Sequence, residues 1–165
     1  MIIQLTGQHA KEYRELRLQA LLQNPEAFAA SYEEEKELSV EAFQARLDIP
    51  YLFTFGGWIE EKLVGTVTLI PQQKEKLRHK SDIVAMYVDP RYRQKGIGRK
   101  LMEKAIQKAG ELKEVEQLLL TVVESNANAK SLYTSLGFKP YGLEKKALKL
   151  NGVYIDEEYM KLEMN

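Results

Sequence analysis

The chain has 165 residues, of which 44% are hydrophobic and 29% are charged, and this composition is typical of one globular domain covering residues 1–165. It contains no cysteine and only two histidines, which excludes disulfide frameworks and cysteine nucleophiles and gives little support to a metal site, so we expect no metal. Its 24 basic residues balance 24 acidic ones, which argues against a dedicated nucleic-acid binder.

The sequence also lacks the features of membrane and exported proteins. Its longest uncharged apolar run, residues 118–123, is far shorter than the roughly 20 residues that a membrane helix needs. The first residues carry no basic stretch of the kind that begins a signal peptide. We therefore expect a cytoplasmic protein with no membrane or nucleic-acid partner.

The first half of the chain alternates helical and β-rich stretches. Apolar residues at helical spacing follow residue 8, and Asn24-Pro25 ends that helix. Ser39 is a plausible N-cap of a second helix, and Glu60-Glu61 joins two β-rich runs into an antiparallel hairpin. The predicted elements are a strand at 1–5, helices at 8–23 and 40–47, and strands at 51–59 and 62–70.

The second half predicts a parallel strand pair. The predicted elements are strands at 81–88 and 117–123, helices at 96–112 and 127–136, and final strands at 144–150 and 154–164. A strand, a helix and a second strand in this order form a βαβ unit, whose strands run parallel with a right-handed crossover. The fold class is therefore α/β with a mixed sheet.

The loop between the first strand and the helix of this unit carries an unusual charge. Residues 91–100 contain five basic residues and no acidic one, although they lie at a helix N-terminus, where the macrodipole favours negative charge. A bound anion resolves this conflict, because exposed backbone N–H groups and nearby guanidinium groups hold phosphate, and Gly96 and Gly98 allow a close approach. The alternative is a solvated basic turn whose glycines only shape the backbone.

Two common nucleotide-binding motifs do not match this loop. A dinucleotide-binding fingerprint needs a third glycine where the chain has Leu101, and a Walker loop needs Ser or Thr after Gly-Lys, whereas Gly98 is followed by Arg99. The pattern is instead Arg-x-x-Gly-x-Gly over residues 93–98, directly after a strand.

Two segments in this order resemble the GNAT superfamily of acetyl-CoA-dependent N-acetyltransferases. Residues 87–98, YVDPRYRQKGIG, are similar to the pyrophosphate loop of the family with its preceding strand. Residues 126–138, NANAKSLYTSLGF, are similar to its second cofactor motif. The order of strands and helices over residues 1–165 also agrees, so the resemblance covers the whole chain and implies a single domain of this fold.

The resemblance implies how acetyl-CoA binds. The parallel strands separate near Met86 and Leu120 and admit the pantetheine arm, which pairs with the backbone of the first strand, and the side chain of Asn126 bonds to this arm. Arg91 is a candidate surface contact to the nucleotide, and Asn126 is alternatively a helix N-cap. The implied acetyl-CoA-binding residues are Met86, Tyr87, Val88, Arg93, Gln94, Lys95, Gly96, Ile97, Gly98, Arg99, Asn126 and Tyr133.

Tyr133 is also the implied proton donor to the departing thiolate. It lies seven residues, or about two helical turns, after Asn126, so both side chains share one face of the helix. A phenol with a pKa of about 10 can donate to a thiolate with a pKa of about 8.5. The alternative role of Tyr133 is to close the core. The oxyanion donor is expected to be a backbone N–H near Val88.

The acceptor side is less constrained by the sequence. The candidate general bases are Glu124, at the end of a strand, and Asp156, Glu157 and Tyr154, on the terminal strand, and a water chain is the alternative. The acidic segment 24–37 is expected to help attract a cationic amine, although it is also typical of a helix with a solvated acidic face. The candidate acceptor-binding residues are Phe28, Tyr32, Glu33 and Tyr154.

These observations predict direct transfer of an acetyl group from acetyl-CoA to a primary amine of a small molecule or peptide, without a covalent enzyme intermediate. Two alternatives belong to other classes. One is a sensor or regulatory module that binds acyl-CoA without catalysis, and the other is a nucleic-acid-binding protein that uses the 91–100 loop. Either a monomer or a homodimer is compatible with the sequence.

Overall fold

One mixed sheet runs through the molecule. The computed structural model describes residues 1–165, and its seven strands lie in the order β1-β2-β3-β4-β5-β7-β6. All neighbours in the sheet are antiparallel except β4 and β5. The strands are β1 Ile2–Gln4, β2 Phe53–Ile59, β3 Lys62–Pro71, β4 Lys80–Val88, β5 Gln117–Val123, β6 Lys139–Leu150 and β7 Val153–Glu163.

Five α-helices cover the sheet. They are α1 Ala10–Gln23, α2 Tyr32–Glu35, α3 Val40–Leu47, α4 Ile97–Glu111 and α5 Ala127–Ser135. Ser39 is the N-cap of α3, as its position predicts, and its hydroxyl accepts a hydrogen bond from the N–H of Ala42 at 3.1 Å. None of these helices has the length and apolar character required to cross a membrane.

The parallel pair is short because β4 and β5 diverge. They pair only from Lys80 with Gln117 to Asp82 with Leu119. Beyond that point, the register of β4 against β3 shifts around Ala85, whose φ of +54° marks a β-bulge. The carboxyl end of β4 stays on β3 while β5 continues along β7, so a gap opens between the two parallel strands. The predicted α/β fold with a separated central strand pair is confirmed.

The strands pack on both faces. Leu63 and Tyr87 belong to the cluster formed with α1 and α3, whereas their neighbours Val64 and Val88 belong to the cluster formed with α4. This alternation is the two-residue period of a strand with both faces buried. Because both of its faces are packed, β4 is held between two helical layers up to the residue where the gap opens.

Two segments differ from the sequence-based expectation. Strand β6 begins at Lys139 rather than at residue 144, because it is the sheet edge, where Pro140 and Gly142 are tolerated despite their low strand propensity. The acidic segment contains only a four-residue helix, α2, which the hydroxyl of Ser31 caps by accepting from the N–H of Glu34.

Candidate active site

Backbone groups at the end of β4 face the gap. The N–H of Asp89 donates to the carbonyl of Val64 on β3 at 2.8 Å. Because N–H directions alternate along a strand, the N–H groups of Val88 and Met86 point away from Val64 and β3, on the opposite edge toward the separated β5. A ligand with extended amide groups can therefore pair with this edge, and the Val88 N–H can donate to an oxygen in the gap.

The loop from β4 to α4 presents a run of free backbone donors. The six consecutive N–H groups of residues 94–99 have no acceptor within the protein. Gln94 and Gly96 have φ values of +62° and +79°, and this left-handed conformation turns the loop so that α4 begins directly after it at Ile97. Successive free N–H groups at a helix N-terminus form an anion site, which fits the diphosphate of acetyl-CoA.

The basic side chains of the loop have individual roles. Arg91 is held by a two-point contact to the buried carboxylate of Asp89, with distances of 3.1 and 2.7 Å. Arg93 turns inward, donating from Nε to the carbonyl of Val88 at 2.8 Å and from Nη2 to Oδ1 of Asn24 at 3.3 Å. Arg99 reaches the hydroxyl of Ser135 on α5. Arg93 therefore braces the loop through its side chain. The predicted contact of Arg93 to acetyl-CoA can involve its main chain, or its side chain after the guanidinium group leaves these partners.

The two loop glycines face different surroundings. A Cβ at Gly96 would meet no atom within 4 Å, so this position lies open to an approaching phosphate. A Cβ at Gly98 would lie 3.1 Å from the side-chain methyl of Met86 and 3.8 Å from Val88. The missing side chain of Gly98 therefore allows α4 to pack closely on β4, and its role in clearing space for phosphate stays a prediction.

Helix α5 brings Asn126 and Tyr133 to the other side of the gap. Oδ1 of Asn126 accepts from the N–H of Ala129 at 3.1 Å, which confirms the N-cap role and leaves its side-chain nitrogen able to donate to a ligand. The ring of Tyr133 packs 6.1 Å from Phe138, and its hydroxyl makes no hydrogen bond within the protein. Burial raises the pKa of Tyr133 to about 12, so the hydroxyl carries its proton at neutral pH.

A second opening lies at the carboxyl end of β5, and we name it the acceptor cleft because residues predicted for the acceptor side line it. It has a volume of about 360 Å³ and receives residues from the turn after α1, the end of β5 and the start of β7. Three residues predicted for the acceptor side, Glu124, Asp156 and Tyr154, line this cleft. The full lining is Glu26, Val123, Glu124, Ser125, Val153, Tyr154, Ile155 and Asp156.

Two of the predicted bases, Asp156 and Glu124, differ in how free their carboxylates are to accept a proton. The carboxylate of Asp156 accepts from the N–H of Lys146 at 2.8 Å and from the ammonium of Lys145 at 3.2 Å, and these contacts lower the pKa of Asp156. Its carboxylate stabilises the bulge of β6, which makes it a poor proton acceptor. The side chain of Glu124 is exposed and has no partner. Glu124 is therefore the more available of the two candidates.

Phe28, Tyr32 and Glu33 do not line this cleft, and their role in binding the acceptor stays a prediction. Phe28 is in extended backbone and packs 6.4 Å from Tyr87, whereas Tyr32 begins α2, so the two aromatic residues do not share a helix face. Glu33 forms an ion pair with Lys36.

The most acidic part of this segment is partly structural. Glu35 is buried and accepts two hydrogen bonds from Arg17, at 3.0 and 3.1 Å, and one from Arg46 at 3.2 Å. Burial raises the pKa of Glu35, but the hydrogen bonds and charges of the two arginines outweigh burial and hold the pKa below its ordinary value. Glu35 therefore joins α1, α2 and α3 and cannot attract a substrate as a free charge.

Sequence reasoning did not single out Asn24 or Glu26 as site residues. In the sequence, Asn24-Pro25 indicates only the end of a helix, and Glu26 is one of several acidic residues in the segment that follows. Their place in the site depends on the turn Pro25–Ala27 folding back onto β5 and β6, which no local pattern reveals.

A sheet split between parallel strands, with free loop amides beside the gap, defines an enzyme class that binds the pantetheine and diphosphate of an acyl-CoA. The profile of the acetyltransferase (GNAT) family matches residues 13–138, and the chain belongs to this family. It is therefore an N-acetyltransferase that uses acetyl-CoA.

Two curated relatives carry named activities. The chain is 33% identical over 119 residues to the L-amino acid N-acetyltransferase AaaT of Escherichia coli, covering 72% of this chain and 73% of that protein. It is 30% identical over 92 residues to the spermine/spermidine N(1)-acetyltransferase of Bacillus subtilis, covering 54% and 60% of the two chains.

Solved structures share the fold across the whole chain. A GNAT acetyltransferase of Streptococcus pneumoniae has a TM-score of 0.89 at 24% identity, with 99% of both chains covered. A putative acetyltransferase of Salmonella typhimurium, solved with its cofactor acetyl-CoA, has a TM-score of 0.82 at 18% identity, covering 100% of this chain and 94% of that one.

Proposed function

We propose that this enzyme transfers the acetyl group to a primary amine of a small molecule or peptide by direct attack, with both substrates bound together. The observation that carries this proposal is the placement of two openings at the carboxyl ends of β4 and β5. The gap exposes the backbone edge of Val88, and the acceptor cleft begins at Val123 on the neighbouring strand. An amine in the cleft and a thioester in the gap can therefore meet.

The residues divide the chemistry between them. The backbone N–H of Val88 stabilises negative charge on the thioester oxygen as the amine nitrogen bonds to the carbonyl carbon. As the carbon–sulfur bond breaks, Tyr133 donates its proton to the departing thiolate. The attacking amine is neutral, and its nitrogen loses one proton to Glu124 or to water. Tyr133 regains a proton from solvent, so the thiol gains one proton for the one that the amine loses. No covalent bond to the enzyme is needed, and the chain offers no cysteine for one.

The pKa of Tyr133 affects this step in two ways. At about 12 it keeps the donor protonated, but it exceeds the pKa of about 8.5 of an ordinary thiol. Burial also raises the pKa of a thiol in the same apolar gap, which reduces the mismatch. Transfer during bond breaking, rather than to a fully formed thiolate in water, is therefore favoured.

The acceptor cleft favours a cationic amine. Three carboxylates line it, and only that of Asp156 is neutralised by lysine contacts. The amino-acid and polyamine acceptors in the names of the two relatives are consistent with small amines. A cytoplasmic location, a monomeric or homodimeric state and the absence of nucleic-acid and membrane partners stay predictions.

A thiol-release assay tests the proposal. Acetyl-CoA is incubated with spermidine, L-lysinamide, L-leucine, L-glutamate and a short peptide with a free N-terminus, and each product is identified by mass spectrometry. We expect acetylated primary amine for at least one acceptor, with the cationic amines ahead. Tight acetyl-CoA binding with no product from any amine would support the sensor alternative instead.

A further inference from the structure

A chain of hydrogen bonds joins the acetyl-CoA loop to the acceptor cleft. The guanidinium group of Arg93 binds the carbonyl of Val88 through Nε, at 2.8 Å, and Oδ1 of Asn24 through Nη2, at 3.3 Å. Nδ2 of Asn24 in turn donates to Oε1 of Glu26 at 3.3 Å. Glu26 lines the cleft, so three contacts connect the cleft with the strand residue that faces the thioester.

The chemistry of the partners fixes the direction of the Asn24 amide. A guanidinium group has no acceptor, and a carboxylate has no donor, so Oδ1 must face Arg93 and Nδ2 must face Glu26. Asn24 is also held through its backbone, because its N–H donates to the carbonyl of Ala20 at the end of α1. Of the side chains of similar size, only asparagine satisfies both partners at this position.

Glu26 is the one acid of the segment 24–37 that lines the cleft. The turn Pro25–Ala27 packs against β5 and β6, and it places Glu26 in the lining of the cleft together with Glu124 and Tyr154. Glu33 and Glu35 are engaged by Lys36 and by arginines outside the cleft. Within the cleft, the negative charge contributed by this segment is therefore that of Glu26 alone.

We propose that Glu26 binds the ammonium group of a cationic acceptor and that Asn24 is a positioning residue that couples Glu26 to the acetyl-CoA loop through Arg93. This inference rests on the proposed function. Oε1 of Glu26 is fixed by Asn24, and Oε2 is left to accept from the ammonium group. When acetyl-CoA orders the loop, Arg93 and Asn24 hold Glu26 in the orientation that receives the acceptor.

Substitutions can separate the contact between Asn24 and Glu26 from the contact between Arg93 and Asn24. Glu26→Gln removes the charge with little change in volume. Asn24→Asp keeps an oxygen for Arg93 but replaces the donor to Glu26 with a second negative charge, so it breaks only the link toward the cleft. Glu34→Gln is the matched control, because Glu34 is an exposed acid of the same segment outside the cleft.

Steady-state kinetics with spermidine provide the first readout. We expect Glu26→Gln and Asn24→Asp each to raise the KM for spermidine at least tenfold, while the KM for acetyl-CoA stays within twofold and Glu34→Gln changes neither. The double variant should be no more than about twofold worse than the more affected single variant, because both changes interrupt one chain of contacts. Equal increases in both KM values, or fully multiplicative effects, would overturn the proposal.

Calorimetry separates this inference from the proposed function. Spermidine and L-lysinamide are titrated into the enzyme with and without saturating CoA, so no transfer occurs. We expect CoA to tighten the binding of at least one amine severalfold in the parent and Asn24→Asp to abolish that gain. If the parent acetylates amines but neither change affects amine binding, the inference is wrong and the proposed function stands. If neither amine binds to the parent, the inference is also wrong.

Discussion

In the function we propose, the acetyl-CoA side and the acceptor side of this enzyme meet at one split in the sheet, but they are built differently. The acetyl-CoA side consists mainly of backbone groups from a single stretch, the end of β4 and residues 94–99. The acceptor side consists of side chains from three stretches, around Glu26, Glu124 and Tyr154, which are far apart in sequence. A main-chain site depends on loop shape, whereas a side-chain site depends on which residues the fold brings together.

Tyr133 belongs to neither side alone, and its removal is expected to have the largest effect. Tyr133→Phe should lower kcat by a factor of about 100 to 10,000, because a general acid is lost, while acetyl-CoA affinity changes little. The fold should persist, since the hydroxyl makes no hydrogen bond and the ring still packs on Phe138. Turnover and calorimetry on the same preparation measure both quantities. A kcat within threefold of the parent would assign Tyr133 to the core only.

Glu35 tests whether the acidic segment is structural at that position. Glu35→Gln leaves Arg17 without its buried charge partner and should reduce the free energy of unfolding by about 3 kcal/mol, whereas exposed Glu34→Gln should have little effect. Urea unfolding measures both changes. Equal stability of the two variants would contradict the structural role.

The loss in the free energy of unfolding that Glu35→Gln causes should depend on pH in a defined direction. Because the folded pKa of Glu35 lies below its ordinary value of 4.5, its ionised form stabilises the fold above that pH, and the contribution is lost as pH falls through the folded pKa. The stability difference between Glu35→Gln and the parent should therefore be largest near neutral pH and shrink in acid. Unfolding curves from pH 3 to pH 7 measure it, and a constant difference would contradict the assignment.

Gly98 tests the main-chain character of the acetyl-CoA side. In Gly98→Val the new side chain meets Met86 and Val88, so it separates α4 from β4 and displaces the loop amides. We expect acetyl-CoA binding to weaken at least about tenfold, or about 1.4 kcal/mol. Gly110→Ala, at the other end of α4 with 3.8 Å to its nearest neighbour, is the control. Unchanged affinity in a folded Gly98→Val protein would show that close packing at Gly98 does not control acetyl-CoA binding.

Salt should have the smallest effect, and it acts on the acceptor side. If carboxylates in the cleft attract a cationic amine, raising the salt concentration from about 0.1 to 0.5 M should lower kcat/KM for spermidine severalfold, because the screening length falls from about 10 Å to about 4 Å. Acetyl-CoA is kept saturating, and zwitterionic L-leucine serves as the comparison. Equal salt responses of both acceptors would show that cleft charge does not select the amine.

The sequence anticipated the acetyl-CoA side better than the acceptor side for the same physical reason. The positive charge, glycines and strand-to-helix transition of residues 91–100 are local, so their pattern predicts free loop amides. The inward turn of Arg93 was not predictable, because its partner Asn24 lies 69 residues away. Glu26 and Glu35 have the same chemistry in the sequence, and only packing places one in the cleft and the other between arginines.

Direct transfer between two simultaneously bound substrates is tested most plainly by mass spectrometry of the intact protein, quenched during turnover with acetyl-CoA and the best acceptor of the amine panel. We expect acetylated amine to accumulate while the protein mass stays that of the unmodified chain at every time point. A protein species carrying one acetyl group, formed before the product and consumed as the product appears, would contradict it.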